Sequence, residues 1–184
     1  MRKLALRDEI LLQIDKAARY IGGEVNAVMK NKEDVDIRFA MAFPDVYEIG
    51  MSNLGMMILY DMFNKRDDVW CERLFSPWTD LDKIMREEHI PLFTLESQDP
   101  VKEFDFLGIT LGYEMCYTNV LQLLDLSGIP LLAEERNPHE FSSKLLWALE
   151  HPAEAIEIGK AGAQVAMREF NYLNETKKII KAIQ

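Results

Sequence analysis

Residues 37–63 read IRFAMAFPDVYEIGMSNLGMMILYDMF, and this stretch decides the fold. The apolar run 37–43 is typical of a buried strand, and residues 52–64 have the spacing of a helix. The join between them contains a proline, two glycines and several polar side chains, which are typical of a turn. A strand that turns directly into a helix predicts the first unit of an α/β domain.

The same alternation continues along the chain. Its pattern predicts an α/β, Rossmann-like fold with a mainly parallel, three- to four-stranded sheet, flanked by helices and followed by an all-helical C-terminal tail. The domains expected are an N-terminal helix and connector (1–30), an incomplete α/β domain (31–135) and the helical tail (137–184). The predicted strands are 37–43, 69–75, 91–95 and 106–111, with a short one at 27–29, and the predicted helices are 4–19, 52–64, 80–88, 117–127, 140–150, 152–170 and 173–183.

Composition and charge exclude several classes of function. Hydrophobic residues make up 48% of the 184 and charged residues 28%, which is globular rather than disordered composition. The net charge of −10 disfavours binding to nucleic acid or to an anionic membrane, because both need a positive field. We find neither a signal-peptide pattern nor an apolar stretch of membrane-spanning length, and we therefore expect a cytoplasmic protein.

The metal-binding residue types are few and scattered. Cys71 and Cys116 form no C-x-x-C pair, and His89, His139 and His151 have no zinc-ligand spacing. We therefore predict no protein-held metal and no catalytic residue. Cys116 has no histidine nearby in sequence, so a buried, inert thiol is expected there.

The turn at residues 43–55 is the leading candidate for a binding site, because open α/β sheets bind ligands beyond the carboxyl ends of their strands. Its glycines, Gly50 and Gly55, fit neither G-x-G-x-x-G nor a P-loop, since Met56 and Met57 follow where a P-loop has lysine and serine or threonine. The alternative is structural: Asp45 or Ser52 caps the helix, and the glycines serve only turning and packing.

A third pattern fits the turn. Residues 45–50, DVYEIG, read D-x-Y-x-x-G and resemble the D-x-H-x-x-G turn of cobalamin-binding domains, with Tyr47 where that family has its cobalt-ligating histidine. A phenol is a poor cobalt ligand at neutral pH because its pKa is near 10. The resemblance therefore implies cobalamin bound without a protein histidine ligand, as in many cobalamin-dependent radical S-adenosylmethionine (SAM) enzymes.

More segments extend this resemblance over roughly residues 15–135. They are similar, in the same order, to the opening of one family of cobalamin-binding-domain radical SAM proteins. The segments are RYIGGE (19–24), FPDVYEIGMSNLG (43–55), VWCERLF (69–75), PLFTLES (91–97) and YEMCYTNVL (113–121).

The resemblance implies a corrinoid held at the sheet edge. For Thr118 and Asn119 the alternative is capping of the helix at 117–127, and Glu72 and Arg73 are expected to form a structural charge pair. The candidate cofactor-binding residues are Asp45, Tyr47, Glu48, Gly50, Met51, Ser52, Asn53, Gly55, Tyr113, Glu114, Tyr117, Thr118 and Asn119.

The chain also departs from that family. It lacks the C-x-x-x-C-x-x-C of the cluster-binding barrel, so we expect no iron–sulfur cluster and no radical chemistry from this chain alone. Residues 137–184 instead resemble the last helices of a two-Rossmann-domain glycosyltransferase, through NPHEF (137–141), LLWALEHP (145–152), IGKAG (158–162) and REFNY (168–172). A natural fusion, a truncated gene and a chimera all fit this combination.

Three functions are therefore carried forward. The first is a corrinoid-binding-type module that is not catalytic alone. The second is a structural or interaction module without a cofactor, which pairs with a second copy or with a separate catalytic domain through an incomplete sheet edge. The third, weaker one is a glycosyltransferase-related protein, although the chain carries none of that family's sugar-nucleotide-binding residues.

Overall fold

Three parallel strands form the sheet, in the order β2-β1-β3. The central strand β1 is Ile37–Phe43, and it pairs with β2 (Val69–Phe75) on one side and β3 (Phe106–Ile109) on the other. The predicted α/β, Rossmann-like fold is confirmed, with the bounds of β1 and β2 as the sequence predicts. The structure is a computed structural model and describes residues 4–132, 146, 149–157 and 160.

Within the described residues 4–131, six α-helices surround or precede these strands. The helix at 54–64 begins two residues later than predicted, because the Asn53 side chain caps it by accepting a hydrogen bond from the Met56 N–H at 2.9 Å. The helices are α1 Asp8–Leu11, α2 Ala18–Ile21, α3 Tyr47–Met51, α4 Leu54–Asn64, α5 Thr79–Glu87 and α6 Tyr117–Leu126.

The core has two parts, one on each face of the sheet, because neighbouring side chains of a strand point to opposite faces. Ala40 and Ala42 of β1 belong to the cluster that contains residues of α5 and α6. Met41 and Phe43 belong to the other cluster, with Met56 and further residues of α4. Both faces of β1 are therefore buried, as expected for a central parallel strand.

The predicted N-terminal helix at 4–19 is wrong as one continuous element. Two short helices, α1 and α2, form instead, and the chain turns between them. Lys16 has a positive φ of 54°, which a right-handed helix does not allow. The Asp15 N–H donates to the Asp80 carboxylate at 2.7 Å, so the turn is held by α5 rather than by a helical ladder.

The predicted strand at 91–95 is also wrong. Only an isolated antiparallel bridge between Phe93 and Pro100 forms, since the chain folds back on itself. Gln98 has a positive φ of 66° in this turn, and its side-chain amide donates to the backbone carbonyls of Thr94 and Leu95. The suggested short strand at 27–29 is likewise absent: the Val28 N–H and C=O bond the side chains of Tyr60 and Trp70 rather than a ladder.

Side chains and the loop at 94–98 form hydrogen bonds along the outer edge of β2. The Asn64 amide both accepts from the Cys71 N–H and donates to the Cys71 carbonyl, at 3.0 and 2.9 Å. The Glu96 carboxylate accepts from the Arg73 N–H at 2.6 Å, and the Leu95 N–H donates to the Arg73 carbonyl at 2.9 Å. The loop at 94–98 therefore satisfies this edge without becoming a fourth strand.

The second unit, residues 132–184, is described only in part. Residues 149–150 and 152–157 are helical, as predicted for the helices at 140–150 and 152–170. The predicted last helix at 173–183 lies outside the described residues. Within the part that the structure describes, no helix is long and apolar enough to cross a membrane.

Candidate functional site

The turn after β1 and the segment after β3 meet at the carboxyl edge of the sheet. The chain runs from β1 outward to β2 and then crosses over to β3 on the opposite side, so the order of strands reverses between β1 and β3. Doubly wound sheets bind ligands at such a switch point. Residues 44–55 and 110–119 flank it, and we call them the switch-point edge.

Asp45 connects three parts of this edge. Its Oδ2 accepts a hydrogen bond from the Tyr113 hydroxyl at 2.5 Å, across the switch point. Its Oδ1 accepts from the Val46 N–H at 2.7 Å, and its backbone carbonyl accepts from the Ser76 N–H at the end of β2. The two segments that the sequence singles out are thus in direct contact through Asp45 and Tyr113.

Asn119 makes a second hydrogen bond across the switch point. Its side-chain amide donates to the Pro44 carbonyl at 2.8 Å. The alternative role, capping of α6 by Thr118 or Asn119, is not observed: Cys116 is the N-cap residue and no side chain caps the helix. Asn119 therefore fixes α6 against the turn that follows β1.

Tyr47 extends toward the buried side of the turn. Its hydroxyl donates to Glu24 Oε1 at 3.1 Å, and its ring packs edge-on against Phe75. The other Glu24 oxygen accepts from Arg73 at 3.2 Å. Burial, and next the Glu24 charge, raise the pKa of Tyr47 to about 12, so the phenol is neutral at any physiological pH.

Three more polar residues of the turn have partners within the protein. Glu48 pairs with Arg19 at 2.9 Å and with Lys16 at 3.4 Å, and the Arg19 hydrogen bond lowers the pKa of this carboxyl. The Ser52 hydroxyl donates to the Ile49 carbonyl at 2.8 Å. Asn53 caps α4, as described above. Neither Asp45 nor Ser52 caps a helix as the sequence left open, since Asn53 caps α4 and no side chain caps α3, but these residues have other partners within the protein.

The two glycines of the turn differ in their surroundings. Gly50 is buried, and a Cβ there would lie 2.1 Å from Cε1 of the Phe75 ring. Gly55 is exposed, and a Cβ there would meet only the Asn53 side chain, at 3.3 Å. Close packing thus requires glycine at position 50. Met51, also in this turn, lies beside Arg73, whose guanidinium donates a hydrogen bond to the Met51 sulfur at 3.5 Å.

The segment after β3 presents an exposed, largely apolar surface. Met115 is 83% exposed and Tyr117 55%, and Tyr113 is 43% exposed despite its hydrogen bond. Glu114 and Thr118 are exposed as well. The surface thus combines apolar side chains with carboxylates.

A buried ionic network lies beneath the turn, and sequence reasoning missed two of its members, Glu24 and Glu96. Arg73 has a fully buried side chain and pairs with Glu96 at 2.6 Å and with Glu24 at 3.2 Å. Burial raises the pKa of Glu96, while Arg73 opposes that rise. The sequence does contain a signal for this network. Glu72 and Arg73 lie inside the apolar strand 69–75, and buried charges need partners elsewhere in the fold.

The predicted charge pair between Glu72 and Arg73 is wrong. Adjacent residues of a strand point to opposite faces, so the two side chains cannot meet. Glu72 pairs instead with Arg38 at 2.7 Å and accepts from the Thr94 hydroxyl at 2.6 Å. Both charges are structural, each with partners distant in sequence.

The metal-binding residue types form no site in the described part of the chain. No group of three or more His, Cys, Asp and Glu residues there has the geometry to hold an ion. Cys71 and Cys116 are buried free thiols, and burial raises the pKa of Cys71. A cavity of about 420 Å³ lies elsewhere, lined by His89, Lys102, Asp125 and neighbours, and shares no residue with the switch-point edge.

Comparison with known families identifies one relationship. Residues 55–142 match the family model described as radical SAM proteins, N-terminal. This similarity supports a radical SAM-related N-terminal domain that includes α4, β2, β3 and α6, whereas the turn at 43–54 precedes the matched region. No curated protein and no solved structure shows significant similarity to the chain.

Proposed function

We propose that this chain is a corrinoid-binding-type module of a radical SAM protein, and that the switch-point edge holds the corrinoid. The observation that carries the proposal is the direct contact between Asp45 and Tyr113. It joins the cobalamin-type turn after β1 to the segment after β3 at the place where doubly wound sheets bind ligands. The family match at residues 55–142 supports the radical SAM relationship.

The chemistry of the edge fits a corrin ring better than a nucleotide. Asp45, Glu48 and Glu114 are acceptors, and the nearby cations Lys16 and Arg19 are paired with Glu48. The several negative charges of a nucleotide diphosphate or triphosphate would be repelled by such a surface more strongly than the single phosphodiester of a cobalamin, which lies on a side loop and not on the corrin ring. A corrin ring has a broad apolar face and peripheral carboxamides that donate hydrogen bonds, so it can lie on Tyr113, Met115 and Tyr117 while its amides reach the carboxylates.

Tyr47 is unsuited to ligate cobalt. Its hydroxyl is bonded to Glu24, and its pKa of about 12 keeps it neutral. The corrinoid would therefore bind without a protein histidine ligand, held by Asp45, Tyr113 and Asn119 and by the exposed side chains beside them. A bound corrinoid would supply cobalt-centred chemistry, and the residues of the edge would bind and orient it.

The module would not catalyse radical chemistry by itself. The sequence contains two cysteines, whereas C-x-x-x-C-x-x-C supplies three thiolates to a cluster. Radical chemistry would therefore depend on cluster ligands outside this sequence, in another segment of the protein or in a partner. The corrinoid would sit between the switch-point edge and that catalytic part.

The test is corrinoid retention by the purified 184-residue chain. Hydroxocobalamin is added to tens of micromolar protein, and the gel-filtered protein peak is examined for a corrinoid spectrum. We expect retention by the wild type and loss of retention by Met115→Glu, which places a charge on the exposed apolar surface. The control is Met29→Glu, also exposed but beside the start of β2. A wild-type peak without corrinoid contradicts the proposal.

A second candidate function, an interaction module, is favoured by the free edge of β3. Within the described residues β3 has a strand partner on one side only, and Phe106 is 57% exposed. Unpaired edges recruit other strands, so a second copy or a separate catalytic domain would pair there. A monomer by light scattering contradicts the homodimer version.

The glycosyltransferase relationship of the tail stays a prediction, because most of its quoted segments lie outside the described residues. Binding of a nucleotide sugar to the purified chain is the measurement that tests it.

A further inference from the structure

Tyr113 and Asp45 are the side chains best placed to bind a ligand at the switch point, and they are hydrogen-bonded to each other. The Tyr113 hydroxyl donates to Asp45 Oδ2, while Asp45 Oδ1 accepts from the Val46 N–H. Each carboxylate oxygen thus already accepts one hydrogen bond. Tyr113 remains 43% exposed, so its side chain has solvent on one side into which it can rotate away from Asp45.

We infer that the Tyr113–Asp45 hydrogen bond is a latch over the candidate corrinoid site, and that a ligand enters only when Tyr113 swings off Asp45. This inference rests on the proposed function, because it concerns the same site. Opening frees one carboxylate oxygen for an amide donor of the corrin ring. The apparent affinity for the ligand is then reduced by the fraction of molecules whose latch is closed.

The latch acts through a side chain rather than through the backbone. When Tyr113 leaves Asp45, the Asn119 amide still holds the Pro44 carbonyl, so α6 stays fixed to the turn after β1. The Tyr113 carbonyl also keeps its hydrogen bond from the Cys116 N–H at 3.2 Å. Opening is therefore a local change of one aromatic side chain on a fixed frame.

The latch is closed at neutral pH. A hydroxyl that donates to a carboxylate forms a charge-assisted hydrogen bond, which is stronger than a neutral one. The same bond to Asp45, and next a contact with the Cys116 thiol, raise the pKa of the Tyr113 phenol. The phenol therefore keeps its proton, and with it the latch, throughout the neutral range.

Cys116 reports on the latch without any ligand. Its thiol lies beside the Tyr113 phenol and is 1% exposed, so a thiol reagent should reach it more readily once Tyr113 has swung away. Cys71 is 0% exposed in the central part of β2 and becomes reactive only when the domain unfolds. The ratio of the two labelling rates, resolved by peptide mass spectrometry, separates latch opening from unfolding.

The decisive variant is Tyr113→Phe, which removes the hydroxyl and keeps the ring. We expect Cys116 to be labelled roughly three- to five-fold faster than in the wild type, since one partly exposed charge-assisted bond is lost. The control is Tyr20→Phe, which removes a hydroxyl that accepts from the Trp78 N–H and lies outside the switch-point edge. Unchanged Cys116 labelling in Tyr113→Phe overturns the latch.

Stopped-flow binding of hydroxocobalamin then tests what the latch controls. In Tyr113→Phe we expect association to be faster by a similar factor. Faster Cys116 labelling with equal association rates overturns control of ligand entry. Faster labelling with no corrinoid retained by either protein overturns the proposed function and leaves the latch supported.

Discussion

Arg73 and Glu96 form an ion pair in which both side chains are fully buried, with Arg73 Nε 2.6 Å from Glu96 Oε1. The pair joins the middle of β2 to the loop that covers its outer edge. Glu24 adds a second carboxylate to Arg73 and connects it to the Tyr47 hydroxyl. The turn after β1 therefore packs against a buried ionic network. The charges of that network contribute to the stability of the turn.

Removing the cation of this network should be severely destabilising. Arg73→Met leaves the fully buried Glu96 without its cation, while Glu24 keeps the hydrogen bond from Tyr47, and breaking a buried pair in this way costs about 3–5 kcal/mol. We expect the free energy of unfolding, measured with urea, to fall by that amount. The control is Arg66→Met, since Arg66 pairs with Asp68 at the surface and such pairs contribute little. Equal effects of the two substitutions would contradict a structural role for the network.

The second prediction concerns the packing of Gly50. A methyl group there would lie 2.1 Å from the Phe75 ring, which Tyr47 contacts from another side, so the ring has little room to move. Gly50→Ala should therefore lower the free energy of unfolding by about 1–3 kcal/mol, although alanine has a higher helix propensity than glycine. Gly112→Ala is the matched control, because nothing lies within 4 Å of a Cβ there. Thermal unfolding of both variants measures the difference, and a fully stable Gly50→Ala would refute the packing role.

The parts of the fold that sequence predicts well are those with local causes. The strands at 37–43 and 69–75 are apolar runs with turn residues at their ends, and both form with the predicted bounds. The failures have non-local causes. Residues 91–95 look like a strand, yet the Gln98 amide and the Glu96 carboxylate bind this loop as a cover on β2.

The candidate site shows the same difference between features with local causes, which the sequence predicts, and features that depend on the tertiary fold, which it does not. Turn chemistry indicated residues 45–55 and the family resemblance indicated residues 113–119, and Asp45 does contact Tyr113 at the carboxyl edge of the sheet. No sequence pattern could reveal that Tyr47 bonds Glu24, because the two residues are brought together only by the tertiary fold. The pairing of Arg73 with Glu96 escaped prediction for the same reason: neither the adjacent Glu72 nor any local rule indicates the partner.

The third prediction separates the structural role of Tyr47 from cobalt ligation. Tyr47→Phe removes the hydrogen bond to Glu24 and keeps the contact with Phe75. We expect a loss of about 1 kcal/mol in the free energy of unfolding, because the bond is to a charged group but only partly buried. The visible spectrum of bound hydroxocobalamin should stay unchanged, since the phenol is not a ligand. A changed spectrum would mean that Tyr47 does contact the cobalt.

The last prediction concerns the titration of Tyr113. Hydrogen bonding to Asp45 raises its pKa above the usual value near 10, so the folded state holds this proton more tightly than the unfolded state. The stabilisation is therefore fully present below about pH 10 and is lost as the pH rises through the folded-state pKa. Asp45→Asn removes the charge and should return the pKa of Tyr113 toward 10. Near-ultraviolet tyrosinate absorbance measures this, with the Tyr113→Phe titration subtracted in each background to isolate one tyrosine among six. Identical Tyr113 titrations with and without the Asp45 charge would show that the hydrogen bond does not hold this proton.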